Sequence, residues 1–374
     1  MKYGTLLLHN GNEIDPHTGA LSIPIYQAST FHQTDIENPG SYDYSRSGNP
    51  TRDALEKTLA VIENGTHAYA FASGMAAVSS ALAILEQGDH VVVSADIYGG
   101  TFRILSRFFS KFGITHTFVD MTRLENVEVA INQNTKVIFL ESPSNPMLRI
   151  TDVVGAVAIA KKHGLITMID NTFLSPYFQR PLDLGVDLVI HSATKFLGGH
   201  SDVIGGAVIT KSEQLAAKIY FVQNGFGAIL GPQDCWLLMR GIKTLRARME
   251  IQQQSALKIA QWLKGQSWVT DVYYPGLEDH PGHEIIKSQA SGFGAVLSFK
   301  TDTMERAKTI MKQVKIWSVA VSLGGVESIL SYPVKMSHAA IPKPERERLG
   351  ITENLIRLSV GLEEPDDLMA DLEI

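Results

Sequence analysis

The chain has 374 residues, 44% hydrophobic and 19% charged, with 33 Lys and Arg against 39 Asp and Glu for a net charge of −6. That apolar share and a mean hydropathy of +0.02 describe a globular chain with a large core, and the acidic balance argues against a general nucleic-acid binder. A single cysteine, Cys235, excludes an intrachain disulfide and fits a reducing compartment.

The length favours two packed domains. The apolar stretch Leu6–Leu8 is too short for a signal-peptide core. The longest apolar run, Val153–Ala160, is far below the roughly 18 residues of a spanning helix. A cytoplasmic protein is expected, with neither membrane nor nucleic acid as a partner.

Residues 1–50 mix Gly, Pro, Asn and aromatic side chains without a helical or strand period. Such a segment buries little by itself, so it is expected to lie as an arm on its own domain or on a second subunit. Asn49-Pro50 then signals a helix over 51–62. Small residues predict a helix over 74–87, followed by a strand at 90–95, a helix at 100–112, a strand at 114–120 and a helix at 125–132. Next come a strand at 136–141, a helix at 153–163, and strands at 165–170, 186–191 and 205–210. These strands are apolar at nearly every position, which predicts burial on both faces and a parallel sheet covered by helices. Helices are predicted over 212–223 and 231–264, the second broken near Gly241. Short strands (269–273, 295–299, 355–360) and helices (304–314, 365–372) predict a second, smaller α/β domain. The expected division is an arm over 1–50, a first domain over 51–235 and a C-terminal domain over 236–374.

Open parallel sheets bind ligands beyond the carboxyl ends of their strands. Asp170 ends one strand, and Ser192, Thr194 and Lys195 follow another. Ser73-Gly74-Met75 opens a helix, Asn145 lies in a loop after a strand, and Tyr98 follows the strand at 90–95. The helix start offers unpaired N–H groups to a phosphate, Gly74 permits close approach, and Ser192 and Thr194 add hydroxyls. Lys195, among apolar neighbours, should have a lowered pKa and form a Schiff base with an aldehyde. Asp170 can hold a protonated pyridine nitrogen, and Tyr98 can stack on a flat ring. Together these groups describe a site for pyridoxal 5′-phosphate.

Each residue alone has a plainer reading. An Asp after a strand is commonly a helix cap or metal ligand, a lone lysine is usually solvated or ion-paired, a Ser-Gly turn is usually a helix start, and Tyr98 could simply pack. Their conjunction on one rim favours the site. Competing motifs are missing: there is no GxGxxG after a strand, no GxxxxGK[ST], no GxSxG and no HExxH, and no metal is expected. His280 and His283, in the segment HPGHE, are expected to be solvated, and Cys235 to be a core thiol.

The segments YSRSGNPTR (44–52), FASGMAA (71–77), DIYGGTFR (96–103), ESPSNP (141–146), IDNTF (169–173), HSATKFLGGHSD (191–202), SLGGVES (322–328) and RLSVGLE (357–363) resemble the signatures of one family. It is the Cys/Met-metabolism branch of the fold-type I pyridoxal-phosphate enzymes. That resemblance implies an aspartate-aminotransferase-like α/β fold, with a large, mostly parallel sheet and a smaller C-terminal α/β domain. It implies that Lys195 carries the cofactor, Asp170 pairs with its ring nitrogen, and Tyr98 stacks on the ring and assists proton transfer. Gly74, Met75, Ser192 and Thr194 would hold the phosphate, joined by Tyr44 and Arg46 reaching from a neighbouring subunit. Arg357 would bind the substrate α-carboxylate, helped by Asn145 and Ser322. A homo-oligomer is implied, usually a tetramer built from active dimers, acting on a small amino-acid thioether.

Within that family, methionine γ-lyases typically have a cysteine where this chain has Gly100. Many γ-synthases and γ-lyases have a glutamate where it has Val321. The stretches GITHTFVDMT, GPQDCWLLMRGIKTL and AVSLGGVESILSYPVKMSHAAIPK look most like bacterial cystathionine β-lyases. The resemblance thus implies α,β-elimination of cystathionine to homocysteine, pyruvate and ammonia in methionine biosynthesis. Cystathionine γ-synthase or γ-lyase chemistry is the alternative.

Overall fold

The structure is a computed structural model describing residues 1–339 and 341–373. Its larger sheet contains β1 (His67–Phe71), β2 (His90–Ser94), β3 (Thr115–Val119), β4 (Thr135–Glu141), β5 (Ile166–Asp170), β6 (Leu188–His191) and β7 (Gly206–Thr210). The spatial order is β1-β7-β6-β5-β4-β2-β3. Neighbours from β6 through β5, β4 and β2 to β3 are parallel, whereas β7 is antiparallel to both β6 and β1. The reversal of β7 agrees with the mostly parallel sheet that the resemblance implied, although the apolar runs alone suggested a parallel strand there. The connection from β6 to β7 carries no crossover helix, as suits an antiparallel neighbour. This brings the start of β7, at Gly206, onto the rim where the other strands end.

Apolar alternation decides the layers. Ile138, Ile169 and Val189 face one side of the sheet, and Phe139, Met168 and Ile190 the other, each in its own buried cluster. The helices against these faces are locally well specified. Asp152 caps the Val153–His163 helix by accepting from Gly155 N–H at 2.9 Å. That helix ends at Gly164, whose φ of +64° suits a residue without Cβ.

The smaller sheet contains β8 (Val269–Tyr273), β9 (Val296–Thr301), β10 (Ser318–Val319), β11 (Ile329–Ser331) and β12 (Leu355–Ser359), in the order β10-β11-β12-β9-β8. The Leu245–Lys264 helix packs Ala256, Ile259, Ala260 and Leu263 against Leu297, Phe299, Ile356 and Leu358 of this sheet. The break before this helix falls at Thr244, between the helices Pro232–Lys243 and Leu245–Lys264, three residues past Gly241. Gly241 lies inside the first of these helices, and close packing accounts for its identity, since a Cβ there would lie 2.2 Å from the Gly198 carbonyl oxygen.

Two local expectations change. Residues 1–50 include one helix, Tyr3–His9, anchored by buried Leu7; the remainder is largely irregular and leaves Ile14, Leu21, Ile36 and Tyr44 exposed. His283 is buried rather than solvated, with Nδ1 2.8 Å from the Pro275 carbonyl oxygen and its ring stacked on Phe293. His280 is partly buried, which pushes its pKa down to about 4. Both follow from the short His283–Gln289 helix, which seats Ile286 in the core of the larger sheet. Among the described residues no helix is long and apolar enough to cross a membrane.

Candidate active site

A cavity of about 450 Å³ opens over the carboxyl ends of the large-sheet strands and is closed by residues of the second sheet. From the large sheet, Gly74, Met75, Tyr98, Asn145, Asp170, Ser192, Thr194 and Lys195 line it. Ser322 and Arg357 enter from the other side. Tyr44 and Arg46 do not line it. Arg46 instead donates to the Asn224 carbonyl at 3.3 Å and lies over the ring of Tyr44, itself 47% exposed.

Lys195 donates from Nζ to Ser322 Oγ at 2.7 Å. Burial, reinforced by the charge of Arg357 and opposed by that of Asp170, pushes its pKa down to about 8. Asp170 ends β5, and its Oδ1 accepts from Thr172 N–H at 3.0 Å. Burial pushes this carboxyl up, while the bonds from Thr172 pull the other way. Oδ2 makes no hydrogen bond among the described residues, so the group can receive a cationic N–H from the cavity.

Ser73 caps the Gly74–Leu82 helix, its Oγ accepting from Ala76 N–H at 3.0 Å. A Cβ on Gly74 would lie 2.8 Å from Ser192 Oγ, so only glycine lets this helix start meet the serine. Thr194 Oγ1 is tied to Gly205, donating to its oxygen at 3.2 Å and accepting from its N–H at 3.0 Å. Gly100 has a similar steric reason: a Cβ would lie 2.5 Å from Tyr98 Cε1 and 2.7 Å from Met75 Sδ.

Arg357, on β12 and 3% exposed, donates from Nη1 to Asn145 Oδ1 at 2.9 Å. Nη2 donates to the Ser322 carbonyl at 2.7 Å and to Ser331 Oγ at 3.0 Å. These bonds use three of the guanidinium's five N–H groups. Buried Nε has no partner among the described residues. Burial lowers the pKa to about 10, which leaves the group charged at neutral pH.

Several contributors escaped the sequence reading. Glu141 ends β4 opposite Asp170 and accepts from Tyr98 N–H at 2.8 Å and Asn145 N–H at 3.1 Å. Its position at a strand end, equivalent to that of Asp170, was the available signal. Arg103, Met336 and Ser337 also line the cavity; they lie in the segments DIYGGTFR and AVSLGGVESILSYPVKMSHAAIPK quoted for the resemblance, which was the available signal.

A family model described as Cys/Met metabolism PLP-dependent enzyme matches residues 4–374. The chain belongs to this family. It is 56% identical over 369 residues to cystathionine beta-lyase of Bacillus subtilis (strain 168), covering 99% of this chain and 95% of that relative. It is 50% identical over 372 residues to cystathionine gamma-lyase of the same strain, covering 100% of this chain and 98% of the relative. The crystal structure of cystathionine gamma-lyase from Lactobacillus plantarum complexed with L-serine matches at a TM-score of 0.98 and 50% identity, over 100% of this chain and 98% of that one. The protein is therefore a pyridoxal-phosphate-dependent carbon–sulfur lyase of fold type I. The cavity suits this family's cofactor on its own terms. It combines an amine of lowered pKa, a buried carboxyl with an unpartnered oxygen and a glycine-opened helix start beside Ser192.

Proposed function

We propose that the protein is a cystathionine β-lyase, cleaving the Cβ–S bond of cystathionine to release homocysteine, with pyruvate and ammonia from the remaining fragment, in methionine biosynthesis. The observation that carries this reading is Val321. It lines the cavity beside Ser322 and is 66% exposed, at the position where many γ-synthases and γ-lyases carry a glutamate. The carboxylates among the lining residues, Glu141 and Asp170, belong to large-sheet strand ends, and Glu141 already accepts two backbone N–H groups. The 56% identity to a β-lyase agrees. Gly100 argues against a methionine γ-lyase, because a side chain there would displace Tyr98 or Met75. The 50% identical γ-lyase keeps γ-elimination as the second reading.

Pyridoxal phosphate, when bound, supplies an aldehyde for amines and an electron-withdrawing ring. Lys195 would hold the aldehyde, Asp170 the ring nitrogen in its protonated form, and the Gly74 helix start with Met75, Ser192 and Thr194 the phosphate. Tyr98, which lines the cavity, would stack on the ring and exchange a proton with the substrate amine. The two unused N–H groups of Arg357 hold the α-carboxylate, with Asn145 orienting the guanidinium. This fixes Cα against Lys195, a positioning effect. As a free amine, Lys195 Nζ would take the Cα proton, and Ser322 Oγ, 2.7 Å away, would accept one of its N–H groups. Arg103 at the mouth offers a second cation, matching a substrate with carboxylates at both ends. We assign residues 1–50 to an arm toward a neighbouring subunit, where Tyr44 and Arg46 reach its phosphate. Residues 51–235 form the cofactor domain and 236–374 the C-terminal domain of a cytoplasmic homotetramer.

Incubation with cystathionine tests the assignment. Pyruvate with homocysteine is expected; 2-oxobutyrate with cysteine would replace it by the γ-lyase reading.

A further inference from the structure

Behind the cavity lies a buried polar cluster that the mechanism does not use. Glu63 ends the Pro50–Ile62 helix as its cap residue and is fully buried. Its Oε1 accepts from Asn171 Nδ2 at 3.3 Å and makes a close contact with His191 Nε2. Asn171 directly follows Asp170 at the end of β5. His191 ends β6, directly before Ser192 and three residues before Thr194, with Lys195 next. Successive side chains of extended chain alternate in direction. Asp170 and Ser192 therefore line the cavity while Asn171 and His191 meet Glu63.

The same strand ends are also tied from the front. Ser192 N–H donates to Thr172 Oγ1 at 2.9 Å, and Thr172 N–H donates to Asp170 Oδ1 at 3.0 Å. Behind, Asn171 is held further by donating from Nδ2 to the Gln179 carbonyl at 2.8 Å. One carboxylate oxygen thus clasps the two strand ends that carry the acid and the lysine.

We propose that Glu63, acting through Asn171 and His191, is a positioning residue that sets the spacing between Asp170 and Lys195. This rests on the roles given above to those two residues. Stability alone explains the cluster poorly. Glu63 Oε2 is buried with no partner among the described residues, and burying a carboxyl that is only half satisfied costs stability.

The test uses purified holoenzyme carrying Glu63→Gln or His191→Gln. It reads the visible circular dichroism of bound cofactor, cofactor retention, kcat and KM. Each variant should lose cofactor dichroism and up to about a hundredfold in kcat, with KM within roughly twofold of the parent. Parent-like dichroism and kcat in either folded variant would overturn the proposal. So would a fall in thermal stability with the cofactor signal intact, or failure of both variants to fold, since the cluster would then be structural. Asp170→Asn, measured alongside, separates the two readings. A parent-like cofactor signal there removes the role given to Asp170. A changed signal there beside a parent-like Glu63→Gln removes only the clasp.

Discussion

Lys195 Nζ and Ser322 Oγ stand 2.7 Å apart, joining the end of the large sheet to a residue 127 positions later. Ser322 has a φ of +88°, in a region that side-chain-bearing residues rarely occupy. Backbone strain at functional sites persists where the surroundings hold it. Here the Ser322 carbonyl is held by Arg357 and its hydroxyl by Lys195.

The pH dependence of the lysine follows from its surroundings. Nζ is protonated below its pKa of about 8 and becomes a free nucleophile above it, rather than near the ordinary 10.5. The rate at which cofactor-free protein reacts with pyridoxal phosphate should rise with pH, with a midpoint near 8. Ser322→Ala removes an acceptor that favours the protonated amine, so its midpoint should fall by about one unit. A midpoint moving upward would contradict the assignment.

Arg357→Ala should chiefly raise KM, corresponding to about 2–5 kcal/mol of lost binding if the charge pair is desolvated. Arg357→Lys should rescue little, because one ammonium cannot serve Asn145, Ser322 and Ser331 in the guanidinium geometry. Steady-state kinetics with both variants checks this; an unchanged KM would place the carboxylate elsewhere.

At the cavity mouth, Arg103→Ala should weaken cystathionine by about 1 kcal/mol, the size of an exposed charge pair, while leaving KM for cysteine unchanged. Equal effects on both substrates would remove Arg103 from the distal carboxylate.

Gly74→Ala places a Cβ 2.8 Å from Ser192 Cβ and Oγ and 3.0 Å from Ser192 Cα. The serine must shift at a cost of about 1–3 kcal/mol. Cofactor titration should show weaker binding, since the proposed phosphate site includes the displaced serine. Parent-like affinity would show that the phosphate sits elsewhere.

Much of this site was legible because it follows strand ends. Uniformly apolar β4, β5 and β6 had to be buried on both faces, so what followed them had to reach one rim. Lys195 and Asp170 were legible on that ground, whereas Arg357 needed the family resemblance. Residues that act across the chain were harder to see. Arg103 was marked only by its place in the signature DIYGGTFR, and Glu63 meets Asn171 and His191 only after the sheet has assembled. The direction of β7 was hidden because apolar composition does not report strand polarity. His283 looked solvated beside Pro and Gly, but the helix it opens buries it.

Borohydride reduction of the holoenzyme, followed by proteolysis and mass spectrometry, bears most directly on the cofactor attachment. The account predicts a pyridoxyl group on the peptide containing Lys195, and neither that adduct nor elimination in Lys195→Ala. A pyridoxyl group on another lysine, or full turnover by Lys195→Ala, would contradict it.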